Sequence, residues 1–490
     1  MAGDSTDYDW TASFRQAATR TILRSCNLPL YPSVVQANIS NAMRSPRPST
    51  VRLPRVLISR LLPALTLAAF HFADANTPAS TPSAHLIASP EPGWPQFRGP
   101  RRDGVSDERG LLQSWPEDGP KLLWSATKLG RGFSSPIIVG ERVFITGDVE
   151  GEFRLFALDR QGQPVWQMPH GAAWTGQYPG ARATPTYSAG RLYIMNAHGR
   201  LACFDAATGQ EHWTVDVLQR FGGKNITWGL SENLLVDERA VYVTVGGSAA
   251  LLVAFDKLNG QILWQSAPLV DTAGDGAPEN ASYVSPILIR FGDRRLILGC
   301  SLRHLYCADA DTGMLQWTRR FPTTYSVISM MPALVSNTVF MTAPHGQGGR
   351  LFHLQTPANP GAPVGATDGW STTLDTLQGC VVPVGEKLVG SYYGGRKGWA
   401  ALDSRTGAIL YETGDYVKGA PLLADGRLYA LSEDGWMRLL EAGDTQLHEH
   451  GKFRLAEAKR DAWAHPVIHD GRLYLRYHDT LTCYDVRRME

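Results

Sequence analysis

The sequence predicts an all-β fold, an eight-bladed β-propeller whose blades are four-stranded and antiparallel. Three observations carry that prediction. A motif recurs with a period of about 45 residues. Each copy alternates apolar and polar positions between glycine-containing turns, which favours strands over helix. The first and last copies are incomplete in complementary ways, as a ring closed on itself requires.

Composition agrees. The 490 residues include 49 Gly and 31 Pro spread along the chain, which suits many short strands and disfavours long helices. With 47 basic and 46 acidic residues there is no global positive surface, so nucleic acid is not an expected partner. Six cysteines do not make a disulfide scaffold.

In chain order, residues 61–70 (LLPALTLAAF) form an apolar run too short to span a bilayer. Arg44, Arg47, Arg52, Arg55 and Arg60 precede it, and Ala73-Asp74-Ala75 follows. That order reads as a signal peptide over 43–75, with Met43 as the working start and cleavage after Ala75. Residues 1–42 are then a dispensable extension. The mature chain is expected to be periplasmic or secreted, monomeric and without a transmembrane segment. No cysteine stands at the cleavage point for lipid attachment. Residues 76–92 read as a Pro/Ser/Thr/Ala linker, and 93–490 as the propeller.

The repeat itself is a Pro-initiated apolar stretch, a turn, an alternating strand, a second turn, then small-x-Asp followed by Gly and Trp. Ala157-Leu158-Asp159 leads through Gly162 to Trp166, and Cys203-Phe204-Asp205 through Thr208-Gly209 to Trp213. Ala254-Phe255-Asp256 leads through Gly260 to Trp264, and Cys307-Ala308-Asp309 through Thr312-Gly313 to Trp317. Ala401-Leu402-Asp403 leads through Thr406-Gly407 to Tyr411, and Cys483-Tyr484-Asp485 starts the pattern a last time. The first four aspartates stand 46, 51 and 53 residues apart. The longer gaps hold degenerate copies at 332–355 and 421–441, which brings the total to eight. In the second copy the strands fall at about 185–188, 192–196, 201–205 and 211–215. The last copy lacks its outer strand, and 121–124 supplies one without a repeat before it; pairing the two closes the ring. Cys203, Cys307 and Cys483 share the position of Ala157, Ala254 and Ala401, so they are expected as small buried residues. Cys300 and Cys307 flank one hairpin and are expected to remain thiols. Cys380 falls just before an inner strand, and Cys26 lies in the segment expected to be removed.

Small-x-Asp-x-x-Thr-Gly-x-x-x-Trp resembles the tryptophan-docking motif of the pyrroloquinoline-quinone-type propellers. That superfamily includes quinoprotein alcohol dehydrogenases and the bacterial outer-membrane assembly propeller. Trp94-Pro95-Gln96-Phe97-Arg98-Gly99-Pro100, followed by Asp103-Gly104-Val105-Ser106, resembles the opening of exported bacterial members. The resemblance covers about residues 94–486. It implies the fold firmly and activity poorly, because one fold hosts many functions. The dehydrogenases hold a planar anionic quinone with Ca²⁺ at the propeller centre. Their vicinal cysteine pair and a Cys-x-x-Cys-His haem site are both missing here.

A ligand face is expected where each outer strand crosses to the next inner strand. Those crossovers carry Arg131, Phe133, Tyr178, Arg182, Trp228, Glu232, Asn280, Tyr283, Tyr325, Ser329, Gln378, Lys418, Trp463 and His465. Aromatics and cations converging on one mouth suit a flat anionic molecule or a peptide. His170, Trp174 and Arg182 are the densest such group. Asp271, Asp275 and Glu279 form an acidic loop, expected as an exposed turn because it lacks the pattern of a calcium loop. His345, His353, His448 and His450 show no metal-ligand spacing and are expected on solvated loops. No catalytic residue, metal site or cofactor is assigned. The expected function is a non-catalytic binding or assembly scaffold with a protein partner or small ligand at the mouth. The alternative is a dehydrogenase dependent on pyrroloquinoline quinone and calcium, and a carbohydrate-binding propeller is a third class.

Overall fold

The computed structural model describes residues 82–359, 361–394 and 398–488, all within the unit Pro78–Glu490. The expectations for 1–42, for the signal segment with Met43 and Ala75, and for Cys26 lie outside the described residues. Eight sheets follow one another along the chain, their strands taken in chain order from the innermost outward, and the sheets of blades 4, 7 and 8 each gain one strand from earlier in the chain. In blade 2 they are Thr186–Ser188, Arg191–Met195, Arg200–Asp205 and Glu211–Asp216. The middle strands are buried nearly end to end, whereas the outer strand alternates between partly buried and exposed positions. One face of each outer strand packs on the neighbouring blade and the other meets water, which is why only the outer strand shows period two. The degenerate copies form blades 5 and 7, and the last copy closes as expected. Lys121–Ala126 pairs antiparallel with Thr480–Asp485 and supplies the fourth strand of blade 8.

The repeat motif now has a physical reading. In every blade the ladder between the two outer strands carries a bulge, at Ala157/Leu158, Cys203/Phe204, Ala254/Phe255, Cys307/Ala308 and their equivalents. The small residue before the bulge stands directly opposite the outer-strand aromatic: Ala157 faces Trp166, Cys203 faces Trp213, and Cys483 faces Trp124. Asp205 Oδ1 then accepts from the amides of Ala207 (3.0 Å) and Thr208 (2.8 Å) and from the Thr208 hydroxyl (2.8 Å), which fixes the turn. Asp309 and Asp403 do the same for their threonines. Each turn receives the indole of the blade before it. Trp124, Trp166, Trp213 and Trp264 donate from Nε1 to the carbonyls of Arg160 (2.9 Å), Ala206 (3.3 Å), Lys257 (3.1 Å) and Ala310 (3.1 Å). The cysteines at the small position are free buried thiols, as are Cys300 and Cys380. Cys307 pairs across with Leu298 and Cys300 with Leu305, so those two thiols do not face each other.

Two features depart from expectation. Blade 5 has its own outer-strand tryptophan: Trp370, on Gly365–Thr372, lies against Gly407 of blade 6. Its spacing from the degenerate third strand is too long to match the motif. Residues 82–92 are not linker. Ala84–Leu86 adds to the inner edge of blade 4 by pairing with Ile287–Phe291, and the segment continues to 111 across the ring. Trp94 exchanges two backbone hydrogen bonds with Ile138 of blade 1 (2.8 and 3.0 Å), and Pro95 O accepts from Tyr187 of blade 2 (2.9 Å). Val105–Ser106 pairs in parallel with Gly419–Ala424 of blade 7.

Candidate binding face at the propeller mouth

The residues just before each inner strand form a polar belt. Ser135 Oγ accepts from the His465 amide (2.9 Å), Thr184 Oγ1 from the Ser135 amide (2.9 Å), Asn233 Oδ1 from the Thr184 amide (2.6 Å), and Ser285 Oγ from the Asn233 amide (2.9 Å). One blade thus hands a hydrogen bond to the next, from blade 8 round to blade 4. The sequence signal was Ser-Pro, Thr-Pro, Ser-Pro and His-Pro at 135, 184, 285 and 465. The prolines mark the strand starts, and of the polar residues before them only His465 stood among the expected ligand-face residues.

Outward of the belt, aromatic side chains gather at the crossovers. Phe133 lies 4.8 Å from Trp463, and Trp463 lies 5.2 Å from Tyr178. Arg182 sits over Phe133 (5.8 Å) and Trp174 (5.6 Å), while its guanidinium donates to the carbonyls of Gly180 and Tyr178 (both 2.7 Å). Arg182 therefore staples its own loop, and burial lowers its pKa to about 10. Trp228 stacks near Tyr283 (5.7 Å) and donates to Gln177 Oε1 (3.1 Å). Across the mouth, His345 stands between Tyr325 (4.8 Å) and Tyr393 (4.7 Å), and Lys418 lies 4.2 Å above Tyr393. Glu433 accepts from Trp463 Nε1 (3.0 Å) and pairs with Lys418 (3.5 Å), which ties the two groups together. A small pocket of ≈ 10 Å³ between Gln378, Lys418 and Trp463 has room for about one water.

Of the residues singled out in the sequence, Arg182, Trp228, Tyr283, Tyr325, Lys418 and Trp463 do converge here. His465 does not reach the surface. It is buried beneath the mouth, where Nε2 meets Gln378 O (2.9 Å) and Nδ1 meets the Arg98 guanidinium (3.2 Å). Burial and Arg98 lower its pKa to about 3. Arg131 turns away toward a separate open cleft of ≈ 750 Å³ between blades 8 and 1, shared with Lys128, Asp148, Lys459 and His478. Glu232 is 2% exposed and bonded to the Thr244 amide (3.1 Å), with its pKa raised to about 8 by burial. His170 is no crossover residue. It lies on the strand Pro164–Ala172, buried, holding Arg200 O with Nε2 (2.9 Å) and the Arg200 guanidinium with Nδ1 (2.7 Å).

Two further expectations are corrected. Asp271 and Glu279 are fully buried rather than on an exposed turn, and only Asp275 is exposed. Arg320 binds Asp271 (2.8 Å) and Arg303 binds Glu279 (2.6 Å), which holds the Asp271 carboxyl below the usual carboxylate range. His345 belongs to the mouth and not to a solvated loop, while His353, His448 and His450 lie on strands. Tyr393 and Glu433 went unnoticed because they stand outside the crossover segments.

What this face offers is stacking surface and fixed cations. Among the described residues no three His, Cys, Asp or Glu side chains are placed to hold a metal ion.

A family model described as outer membrane protein assembly factor BamB matches residues 151–348. BamB of Kangiella koreensis is 26% identical over 155 residues, and that of Alkalilimnicola ehrlichii 30% identical over 140. The solved BamB of Moraxella catarrhalis superposes with a TM-score of 0.53 at 16% identity, over 75% of this chain and 98% of that one. The chain is an eight-bladed propeller whose residues 151–348 are similar to the BamB family. The curated matches cover 31% and 28% of this chain, and 36% and 32% of the two relatives, so they span about a third of each relative's length. Quinohemoprotein alcohol dehydrogenase from Comamonas testosteroni superposes with a TM-score of 0.54 at 13% identity, covering 81% of both chains. At such identities the two solved structures speak to the fold of this propeller alone.

Proposed function

We propose that this propeller is an exported, non-catalytic scaffold that docks a protein partner on its crossover face. The observation that carries the reading is the aromatic mouth: Phe133, Tyr178, Trp463, Tyr325 and Tyr393 with Lys418 at one end of the ring. Aromatic side chains beside fixed cations are the composition of binding hot spots. The likeness of 151–348 to the BamB family supports an outer-membrane-assembly type of scaffold. Residence in the periplasm or outside the cell rests on the leader at 43–75. No helix among the described residues is long and apolar enough to cross a membrane.

The test is site-specific photo-crosslinking of the full chain in its native envelope. Probes replace Tyr325 or Trp463 on the mouth, and Leu258 or Met314 near the opposite turns, the last two 58% and 48% exposed. One protein captured from the mouth positions, and lost in Trp463→Ala with Tyr178→Ala, supports the reading. Equal capture from both ends, or turnover of an alcohol or aldose by the purified chain, overturns it.

A further inference from the structure

The ring's axis is filled by its own chain. Residues 82–111 touch all eight blades near their inner strands. Beyond the contacts to blades 1, 2, 4 and 7 given above, Arg102 donates to the carbonyls of Asn233 (2.7 Å) and Leu234 (3.1 Å) of blade 3. Asn337 of blade 5 bonds the Ala84 amide (2.6 Å) and Pro82 O (2.8 Å). Arg98 donates to Val381 O of blade 6 (2.8 Å), and Glu108 accepts from the Gly471 amide of blade 8 (2.7 Å).

The segment is folded tightly on itself. Arg98 also donates to Asp103 O (2.7 Å), and the Gly104 amide returns to Arg98 O (3.0 Å). Gly104 has φ +75°, and a Cβ there would stand 2.6 Å from the Arg98 guanidinium. Gly99 has φ +86°, and a Cβ there would stand 2.8 Å from the Trp94 ring. The opening Trp-Pro-Gln-Phe-Arg-Gly-Pro and Asp-Gly therefore encode a knot wrapped around one guanidinium. Arg98 and Arg102 are 4% and 3% exposed.

We propose that residues 94–106 are an internal ligand of the propeller, bound at its axis. The blade groups that meet the two arginines of this ligand are acceptors, three main-chain carbonyls and the His465 imidazole. Guanidinium groups, with five N–H donors and no acceptor, complement such a lining. An anionic quinone brings more acceptors and negative charge to it, so the axis is built against that class of molecule. The inference concerns the axis and stands apart from the docking role of the mouth.

Three measurements on the full chain test it. A protease site placed at the exposed turn between Glu117 and Asp118 allows the segment to be cut free after folding. The released piece is expected to stay bound through gel filtration and to leave only when the ring unfolds. Departure under native conditions with an unchanged thermal midpoint overturns the proposal. Arg98→Met with Arg102→Met is expected to lower the midpoint and to raise hydrogen exchange at the inner strands of blades 3, 6 and 8. Arg98→Lys is expected to fall between that variant and the wild type, and a double variant as stable as the wild type is a contrary result. If the double variant does not fold, the cleavage result and a titration still decide. Pyrroloquinoline quinone, with and without Ca²⁺, is expected not to bind the intact chain. Tight calcium-dependent binding with the segment in place overturns the assignment.

Discussion

Glu232 and His170 are buried titratable side chains whose pH signatures have opposite signs. Burial raises the Glu232 carboxyl to about 8 from its ordinary 4.5. Between those values the native state keeps a proton that the unfolded chain has lost, so stability falls as pH rises. Glu232→Gln removes that slope. Its thermal midpoint should exceed the wild type at pH 8 and converge with it near pH 4.5; a gap independent of pH would refute the assignment. His170 runs the other way, because burial and Arg200 lower its pKa to about 3 from 6.5. The ring is held as the neutral tautomer, with Nδ1 accepting from Arg200 and Nε2 donating to a carbonyl. Below pH 6.5 the unfolded chain binds a proton the native imidazole refuses, so stability falls on acidification. His170→Gln should flatten the urea midpoint between pH 6.5 and 4 relative to wild type. Neither environment was legible in the sequence. Residue type and crossover position placed six candidates on the mouth, but the depth of His465 and Glu232 depends on Arg98 and Arg102 arriving from over a hundred residues away.

At the scale of the element, the motif was read correctly because each of its letters answers a local need. Asp and Thr close the turn, Gly takes its left-handed residue, and the small residue makes room opposite the bulge for an indole. Gly260 shows how tight this is, with φ +72° and the Trp213 ring 2.7 Å from where a Cβ would stand. Gly426 has φ +77° with nothing within 4 Å. Gly426→Ala should therefore cost backbone strain alone, about 1 kcal/mol. Gly260→Ala adds displacement of Trp213 and should cost about 2–3 kcal/mol in denaturant titration. Equal losses would mean that the indole contact contributes nothing. Trp264→Phe removes the hydrogen bond to Ala310 O and part of the ring packed on Gly313, for an expected loss greater than the ~0.5–1.5 kcal/mol of the hydrogen bond alone. Where the local need is absent the motif fades. Blade 5 lacks the Asp-Thr turn, and its Trp370 sits beyond a longer loop, so pattern matching missed it. Residues 82–92 escaped for a related reason. Their composition is that of a linker, and their order comes from Ile287–Phe291 and Asn337, which no local pattern announces.

For the whole molecule, the ring is joined covalently at every step except one. Blade 8 is completed only by the ladder between Lys121–Ala126 and Thr480–Asp485, from opposite ends of the propeller. Trp124 reinforces that ladder from the other side by docking on blade 1 through Arg160 O. Opening a closed ring at its non-covalent seam exposes two strand edges at once, and every other route must also break a crossover's own packing. The seam is therefore where unfolding should begin. Ser125 and Thr482 stand directly opposite each other in it. Replacing both by cysteine should yield a disulfide that ties off most of the propeller and stabilises it by up to about 5 kcal/mol on chain-entropy grounds. A control pair at Ala202 and Thr214, opposite each other inside blade 2, closes a short loop worth about 3 kcal/mol. The decisive difference is kinetic. A seam lock should lengthen the unfolding half-life well beyond the control and lose the gain on reduction, since it stabilises contacts broken before the transition state. If both disulfides raise the midpoint but neither slows unfolding, the ring opens at another blade.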